Sequence, residues 1–388
     1  MSDRYRRFFP KLLVILFIGV VFSLTACNPP RRVSAEERMF RNLSLEFIDQ
    51  YEIPKATYQD TVVGGLSAIA YDRQQDVFYV VSDDRSERSP ARFYTFKLKV
   101  KQTDDAAMAI DSFEPEAVTI LSDESGNQYQ QGSIDAEGIA ISPRNTVFIS
   151  SEGNPIKDVK PFIAEFELQT GKKLLDLRLP KRYFATEESP DRGIQENLAF
   201  ESLTISRTGP PQDPFRVFTA TESALIQDES LEAEERTRVR LLHYTINPVG
   251  DPVLLAEHLY LLEPAPVEVI YNGLTELFAL QTEGYFLSLE RTFGFAGAGA
   301  KIFEVVIGNA TDTTNIASLK GNISQVQPLR KKLLLDLEGL GIYLDNLEGM
   351  TVGPRLPDGS QSLLLISDDN FSEDQISQLL LFRLVENK

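Results

Sequence analysis

An all-β fold, a β-propeller built of four-stranded antiparallel blades, is predicted for this chain by three observations. After residue 42 helical periodicity is scarce, while short apolar runs separated by Gly, Pro, Asn and Asp turns are frequent. One hairpin unit recurs five times at near-constant spacing. An apolar segment without a hairpin partner, "LSLEFIDQYEI" from Leu43 to Ile53, precedes the first copy, where a strand that closes a ring would lie.

The N-terminus is expected to be a leader rather than part of the fold. Arg4, Arg6, Arg7 and Lys11 precede an apolar run from Leu12 to Leu24, which is short for a bilayer span. The run ends in "LTAC", the pattern of a bacterial lipobox, so residues 1–26 are assigned as a lipoprotein-type signal peptide and Cys27 as the lipidation site. Cys27 is the only cysteine, which excludes an intramolecular disulfide. Residues 27–42, with "NPPRR" and no periodicity, are a tether, and residues 43–388 a single propeller domain. Asn28 is not the Asp that favours inner-membrane retention. The expected location is therefore the cell envelope, lipid-anchored and facing the periplasm or exterior, with the outer membrane favoured over the inner.

The five copies are "SAIAYDRQQDVFYVVSDD" (Ser67–Asp84), "EGIAISPRNTVFISSE" (Glu137–Glu152), "ESLTISRTGPPQDPFRVFTATE" (Glu201–Glu222), "ELFALQTEGYFLSLE" (Glu276–Glu290) and "EGMTVGPRLPDGSQSLLLISDD" (Glu348–Asp369). Their starts lie 64 to 75 residues apart. Each hairpin is followed by a third strand: "RFYTFKL", "FIAEFEL", "VRLLHYTI", "KIFEVVI" and "QLLLFRL". Fourth strands are expected at "AVTILS" from Ala117, "KLLDLRL" from Lys173, "PVLLAEHLYLL" from Pro252 and "KKLLLDL" from Lys331, and the fifth unit lacks one. Leu43–Ile53 can supply it from the other end of the chain. Five blades follow from the count, and the long segments between hairpins leave room for a degenerate sixth.

In each antiparallel hairpin the start of the first strand lies beside the end of the second. The acids bracketing each copy should therefore gather at one mouth of the central channel: Asp83, Glu137, Glu152, Glu201, Glu222, Glu276, Glu290, Glu348 and Asp368, with Asp84 and Asp369 adjacent. Carboxylates this close raise one another's pKa or recruit cations, and a hard all-oxygen set selects Ca²⁺, with Mg²⁺ as the alternative. The competing reading is that the acids hydrogen-bond neighbouring blades and only fix the repeat. Arg85 and Arg291 belong to the same edges and are assigned to substrate binding. After Arg291, "GFAGAGA" (Gly294–Ala300) is expected to be a flexible rim loop.

Other chemistries are disfavoured. There is no G-x-S-x-G, and the two histidines, His243 and His258, fall in outer-strand segments. The chain carries a net charge of −18, and the leader is basic, so the remainder is more acidic still; this excludes a nucleic-acid partner.

The segments "NLEGMTVGPRLPDGSQSLLLISDDNFS", "NLAFESLTIS" with "ATESALIQD", "FLSLERTF", and "DAEGIAIS" with "ISSEGN" resemble the phytase-like family, described as having esterase-like activity of phytase, over roughly residues 60–385. The resemblance implies metal-dependent phosphoester hydrolysis. Its matching positions here are Glu137, Glu152, Glu201, Glu222, Glu290, Glu348, Asp368 and Asp369; with the ring of bracketing acids, Glu137, Glu201, Glu348 and Asp368 are assigned as catalytic residues, and Asp83, Asp84, Glu152, Glu222, Glu276, Glu290 and Asp369 as the metal set. The expected partner is a small phosphorylated or ester substrate, with membrane attachment through Cys27 and a monomeric state. Two other functions fit the same residues: a non-enzymatic binding or scaffold propeller with structural calcium, and a lactone or carboxylester hydrolase.

Overall fold

The computed structural model describes residues 39–103, 108–185, 190–206, 209–230, 236–264, 269–295 and 297–386. Cys27, the leader and the tether up to residue 38 lie outside the described residues. Asn42–Lys388 forms one compact unit.

The chain enters through β1 (Leu43–Ile53) and a small hairpin, β2 (Ala56–Tyr58) and β3 (Thr61–Val63). Blade one is β4 (Leu66–Asp72), β5 (Val77–Ser82), β6 (Arg92–Gln102) and β7 (Met108–Ile120). Blade two is β8 (Ala136–Ile141), β9 (Thr146–Ser151), β10 (Phe162–Glu167) and β11 (Lys173–Asp176). Blade three is β12 (Phe200–Ser206), β13 (Phe215–Thr221), β14 (Arg238–Ile246) and β15 (Val253–Leu261). Blade four is β16 (Val269–Ala279), β17 (Tyr285–Gly294), β18 (Gly297–Val306) and β19 (Arg330–Asp336). Blade five is β20 (Asn346–Arg355), β21 (Gln361–Asp368) and β22 (Ser377–Glu386), and β1 pairs antiparallel with β22 as its fourth strand.

The fold is thus a five-bladed propeller closed by the N-terminal strand. No sixth blade exists among the described residues, because the segments that left room for one are occupied by fourth strands and loops. β7 starts at Met108, nine residues before the predicted Ala117: its first half sets the buried Ile110 and Phe113 among exposed Asp111 and Glu114 and so lacks an apolar run.

Each blade buries both faces, and this explains why second strands such as "VFYVVS" (β5) are apolar throughout. Five apolar clusters fill the five gaps between neighbouring blades. Blades one and five meet through Ile69, Phe78 and Tyr94 against Leu364, Ile366 and Leu379. Blades three and four meet through Phe218, Leu241 and Tyr260 against Leu277, Phe286 and Phe303. First strands β4, β8, β12, β16 and β20 neighbour one another in order around the channel. Closure leaves β1 responsible for covering the β22 edge.

Deleting Leu43–Ile53 should therefore leave β22 open to pairing between molecules. The expected outcome is a lowered melting temperature together with oligomers on size-exclusion chromatography, both reversed by adding the Leu43–Ile53 peptide in trans.

Candidate functional site

In all five blades the hairpin register slips at one and the same place, near the start of the first strand. The shifts fall between Leu66 and Ala68, Ala136 and Ile139, Phe200 and Leu203, Leu274 and Glu276, and Leu347 and Gly349. A bulge re-aims the side chain it carries. The bulged positions hold Ser67, Glu137, Glu201, Thr275 and Glu348. On the second strands, Ser82, Ser151, Thr221, Glu290 and Ser367 stand opposite the residue before each bulge. The residues that follow them are Asp83, Glu152, Glu222, Arg291 and Asp368.

The ring of blade ends is therefore seven carboxylates, one arginine and two hydroxyls, and blade four departs from the expected pattern. Its ring positions are held by Thr275 and Arg291; Glu276 and Glu290 lie one residue away and leave the mouth. Glu276 is 2% exposed and its Oε1 accepts from the amides of Leu203 (3.2 Å) and Leu277 (2.8 Å), bridging the first strands of blades three and four. Glu290 lies in the gap between blades three and four, where it accepts from the Tyr260 hydroxyl (2.6 Å), the Glu263 amide (2.9 Å) and Lys331 Nζ. Aligning the acids hid this offset. Aligning the apolar residue that follows two positions later, Ile69, Ile139, Leu203, Leu277 and Met350, reveals it.

Two further expected ligands also serve the framework. Asp84 pairs with Arg92 at 2.8 Å with both side chains fully buried, and accepts the amides of Glu87, Arg88 and Ser89. Asp369 Oδ1 accepts the amides of Gly65 (2.9 Å) and Phe371 (3.1 Å), stitching blade five to blade one.

The structure does bring together Asp83, Glu137, Glu152, Glu201, Glu222, Glu348 and Asp368, with Arg85 and Arg291, around an open cavity of about 1290 Å³. Arg291 spans the ring: Nη2 donates to Glu222 Oε1 at 2.9 Å and Nη1 to Glu348 Oε1 at 2.6 Å. Gly273, opposite Arg291 in the ladder, makes that approach feasible, since a Cβ there would lie 2.0 Å from Glu222 Oε1. Arg85 donates to Asp135 Oδ1 at 2.7 Å and to Asn197 Oδ1 at 3.0 Å. Asp135 was missed in the sequence because it stands two residues before the repeat unit. "GFAGAGA" is not a free loop: Gly294 pairs with Gly297, Thr292 with Gly299 and Arg291 with Ala300, extending the β17–β18 ladder past the ring.

Burial pushes the carboxyls of Asp83, Glu137, Glu152, Glu201 and Asp368 well above their ordinary range, and neighbouring carboxylates push them further. Glu348 is raised to about 8 by burial and by Asp83 and Glu222, against the lowering effect of Arg291. Two buried oxygens on residues that line this space, Asp83 Oδ1 and Glu201 Oε2, have no hydrogen-bond partner. Asp135, Glu137 and Glu152 each offer an oxygen within 4.8 Å of the others. Two calcium–oxygen bonds of roughly 2.3–2.6 Å can span that separation. The donors are all oxygen, and His243 and His258 sit in β14 and β15, the outer half of blade three. The donor set therefore fits a hard divalent cation.

The model of the phytase-like family, described as esterase-like activity of phytase, matches residues 61–371. An uncharacterized secreted protein of Arthroderma benhamiae is 28% identical over 214 residues, which is 48% of this chain and 40% of the relative; the match thus spans less than half of that protein's length. Among solved structures, the chain is similar to an endo-arabinase from Bacteroides thetaiotaomicron (13% identity, TM-score 0.41, 88% of this chain and 98% of that one). It is also similar to the GH32 β-fructofuranosidase BmSUC1 of Bombyx mori (11% identity, TM-score 0.38, 89% and 63%). At such scores neither likeness bears on substrate.

A carboxyl whose pKa is raised on folding binds its proton more tightly in the native state, so its stabilising contribution is complete below the unfolded pKa and is lost as pH rises through the folded one. For Glu348 that window runs from the ordinary value of 4.5 to about 8. Thermal melts of the protein in EDTA should show the highest melting temperature near the low end of the window, falling by several degrees toward the high end.

Proposed function

The chain belongs to the phytase-like family, and from that premise we propose that it is an extracytoplasmic hydrolase that cleaves a phosphoester with the help of a divalent cation, Ca²⁺ or alternatively Mg²⁺, held among the ring carboxylates. The observation that carries this reading is the pair of partnerless buried oxygens, Asp83 Oδ1 and Glu201 Oε2, on residues lining a cavity that also gathers the five other ring carboxylates. A buried polar oxygen without a partner costs about 1–3 kcal/mol, and more when charged. A ligand of opposite charge would remove that cost.

Asp83, Glu137, Glu152 and Asp135 would hold the cation, which when bound supplies charge neutralisation and a lowered pKa for water. Arg291 and Arg85 would orient phosphate oxygens through their unused N–H groups. Glu348, whose carboxyl burial raises to about 8 in the ion-free ring, would hand its proton to the leaving oxygen as the ester P–O bond breaks. Glu201, whose Oε2 has no partner, would accept the proton released by the attacking water once a bound cation offsets the burial that otherwise keeps its carboxyl protonated. Asp368 completes the acid wall beside Glu348, and burial together with Glu348 raises its carboxyl well above the ordinary range.

The leader pattern and the secreted relative support an extracytoplasmic site of action. Lipid attachment at Cys27 belongs to the same proposal. A binding propeller with structural calcium is the second reading, favoured by the spending of Asp84, Asp369, Glu276 and Glu290 on the framework.

A phosphoester panel assayed with Ca²⁺ and with EDTA separates the two. Hydrolysis should vanish in EDTA and return with Ca²⁺, and Glu348→Gln should lower kcat by about 10²-fold or more, with Asp368→Asn weakening activity as well. Stabilisation by Ca²⁺ without turnover of any panel member would instead establish the binding reading.

A further inference from the structure

The cavity has a second character above the acid floor. β16, β17 and β18 continue past the ring, and there Tyr271 pairs directly with Phe293 across the ladder. Phe293 lies two residues from Arg291, so the two side chains share one face of the strand, with the ring about 6–7 Å further out. Arg291 points into the cavity toward Glu222 and Glu348. Phe293 and Tyr271 therefore stand over the same cavity, and both line it. Tyr343, from the loop that leads into β20, lines it too and is anchored by its hydroxyl to Asp345 Oδ2 at 3.1 Å.

These three rings are 56% (Tyr271), 45% (Phe293) and 60% (Tyr343) exposed, whereas most other aromatic residues among the described residues are buried. None of the three belongs to the apolar clusters beneath. Grouped exposed apolar side chains beside convergent polar groups mark a ligand site, not a solvated surface. Across the cavity the lining is polar, with Glu196, Asn197 and Arg85.

We infer that the substrate is a phosphoester carrying a flat or apolar substituent, with its phosphate on the ring floor at Arg291 and the substituent laid against Tyr271, Phe293 and Tyr343. This rests on the phosphoester reading above and narrows it. A highly phosphorylated polyol suits the cavity poorly. It has no apolar face for the wall, and its clustered negative charge would meet a floor of carboxylates. A compact phosphate with one apolar group uses both halves, because an aromatic wall contributes through buried area and ring stacking.

Calorimetric titration with phenylphosphonate and methylphosphonate at saturating Ca²⁺ tests this without requiring turnover. Wild-type protein should bind the phenyl compound about 10-fold more tightly or better. The double variant Tyr271→Ala/Phe293→Ala should lose that preference and keep its affinity for methylphosphonate. Phe295→Ala serves as the control: it is 85% exposed on the same hairpin, lies off the cavity lining, and should keep the full preference. All three positions are exposed, so the variants should fold. Equal binding of the two phosphonates by wild type, or a preference that survives in the double variant, overturns the inference and leaves the phosphate site standing. Failure of both compounds to bind overturns the phosphate site and the inference with it.

Discussion

Repulsion among buried carboxylates is the constraint on which this molecule turns. Closing five blades into a ring forces Asp83, Glu137, Glu152, Glu201, Glu222, Glu348 and Asp368 onto one cavity, most of them at 9% exposure or less. Apolar packing in the five gaps between blades drives the closure, and no blade can retreat from the mouth without opening a gap. The strain is relieved in three ways that the geometry makes plain: protons retained on carboxyls such as Glu348, the Arg291 bridge from Glu222 to Glu348, and the Arg85 contact to Asp135. Burial of an ion costs several kcal/mol unless it is paired. Two guanidiniums cannot pair with all these acids.

Acids of the same repeat divide between two jobs, and the division follows hydrogen bonding. Glu276, Glu290, Asp84 and Asp369 have their oxygens filled by backbone amides, a hydroxyl or a basic side chain, and they tie blade to blade. Asp83 and Glu201 keep an oxygen without a partner. Glu152 does both, lining the cavity while accepting the amide of Ala199 from blade three. A carboxylate satisfied by its own protein has little left to offer a cation, whereas a partnerless one has a reason to hold one.

The blade count, the third strands and the closing strand Leu43–Ile53 were legible in the sequence because burial on both faces writes each inner strand as an apolar run and closure demands a donated edge. Seven of the ring acids were legible for the same reason, as punctuation at the ends of those runs. Blade four was not, since a glutamate happens to stand one residue from each ring position. Only the bulge, a feature of pairing and not of composition, shows Thr275 and Arg291 in their place. Asp135 falls outside the repeat unit, and the roles of Asp84 and Asp369 depend on Arg92 and Gly65, whose positions no spacing rule predicts. The β17–β18 extension was mistaken for a loop because a glycine-rich run hides its ladder.

The same offset gives the cavity its polarity. Blades two, three and five each contribute two ring carboxylates, and blade one contributes Asp83 beside Ser67. Blade four contributes none: it brings Thr275, Arg291 and, on its extended strands, Tyr271 and Phe293. A ring with an acid at every position would be uniformly anionic, able to hold cations and little else. Replacing one blade's pair by a hydroxyl and a guanidinium creates a cationic edge, and Tyr271 and Phe293 of the aromatic wall rise from that edge. An anion entering the cavity is thus met by Arg291 on one side and by the carboxylates, with any cations they hold, on the other. Blade four departs from the repeat where a five-fold ring would otherwise have no way to orient a ligand.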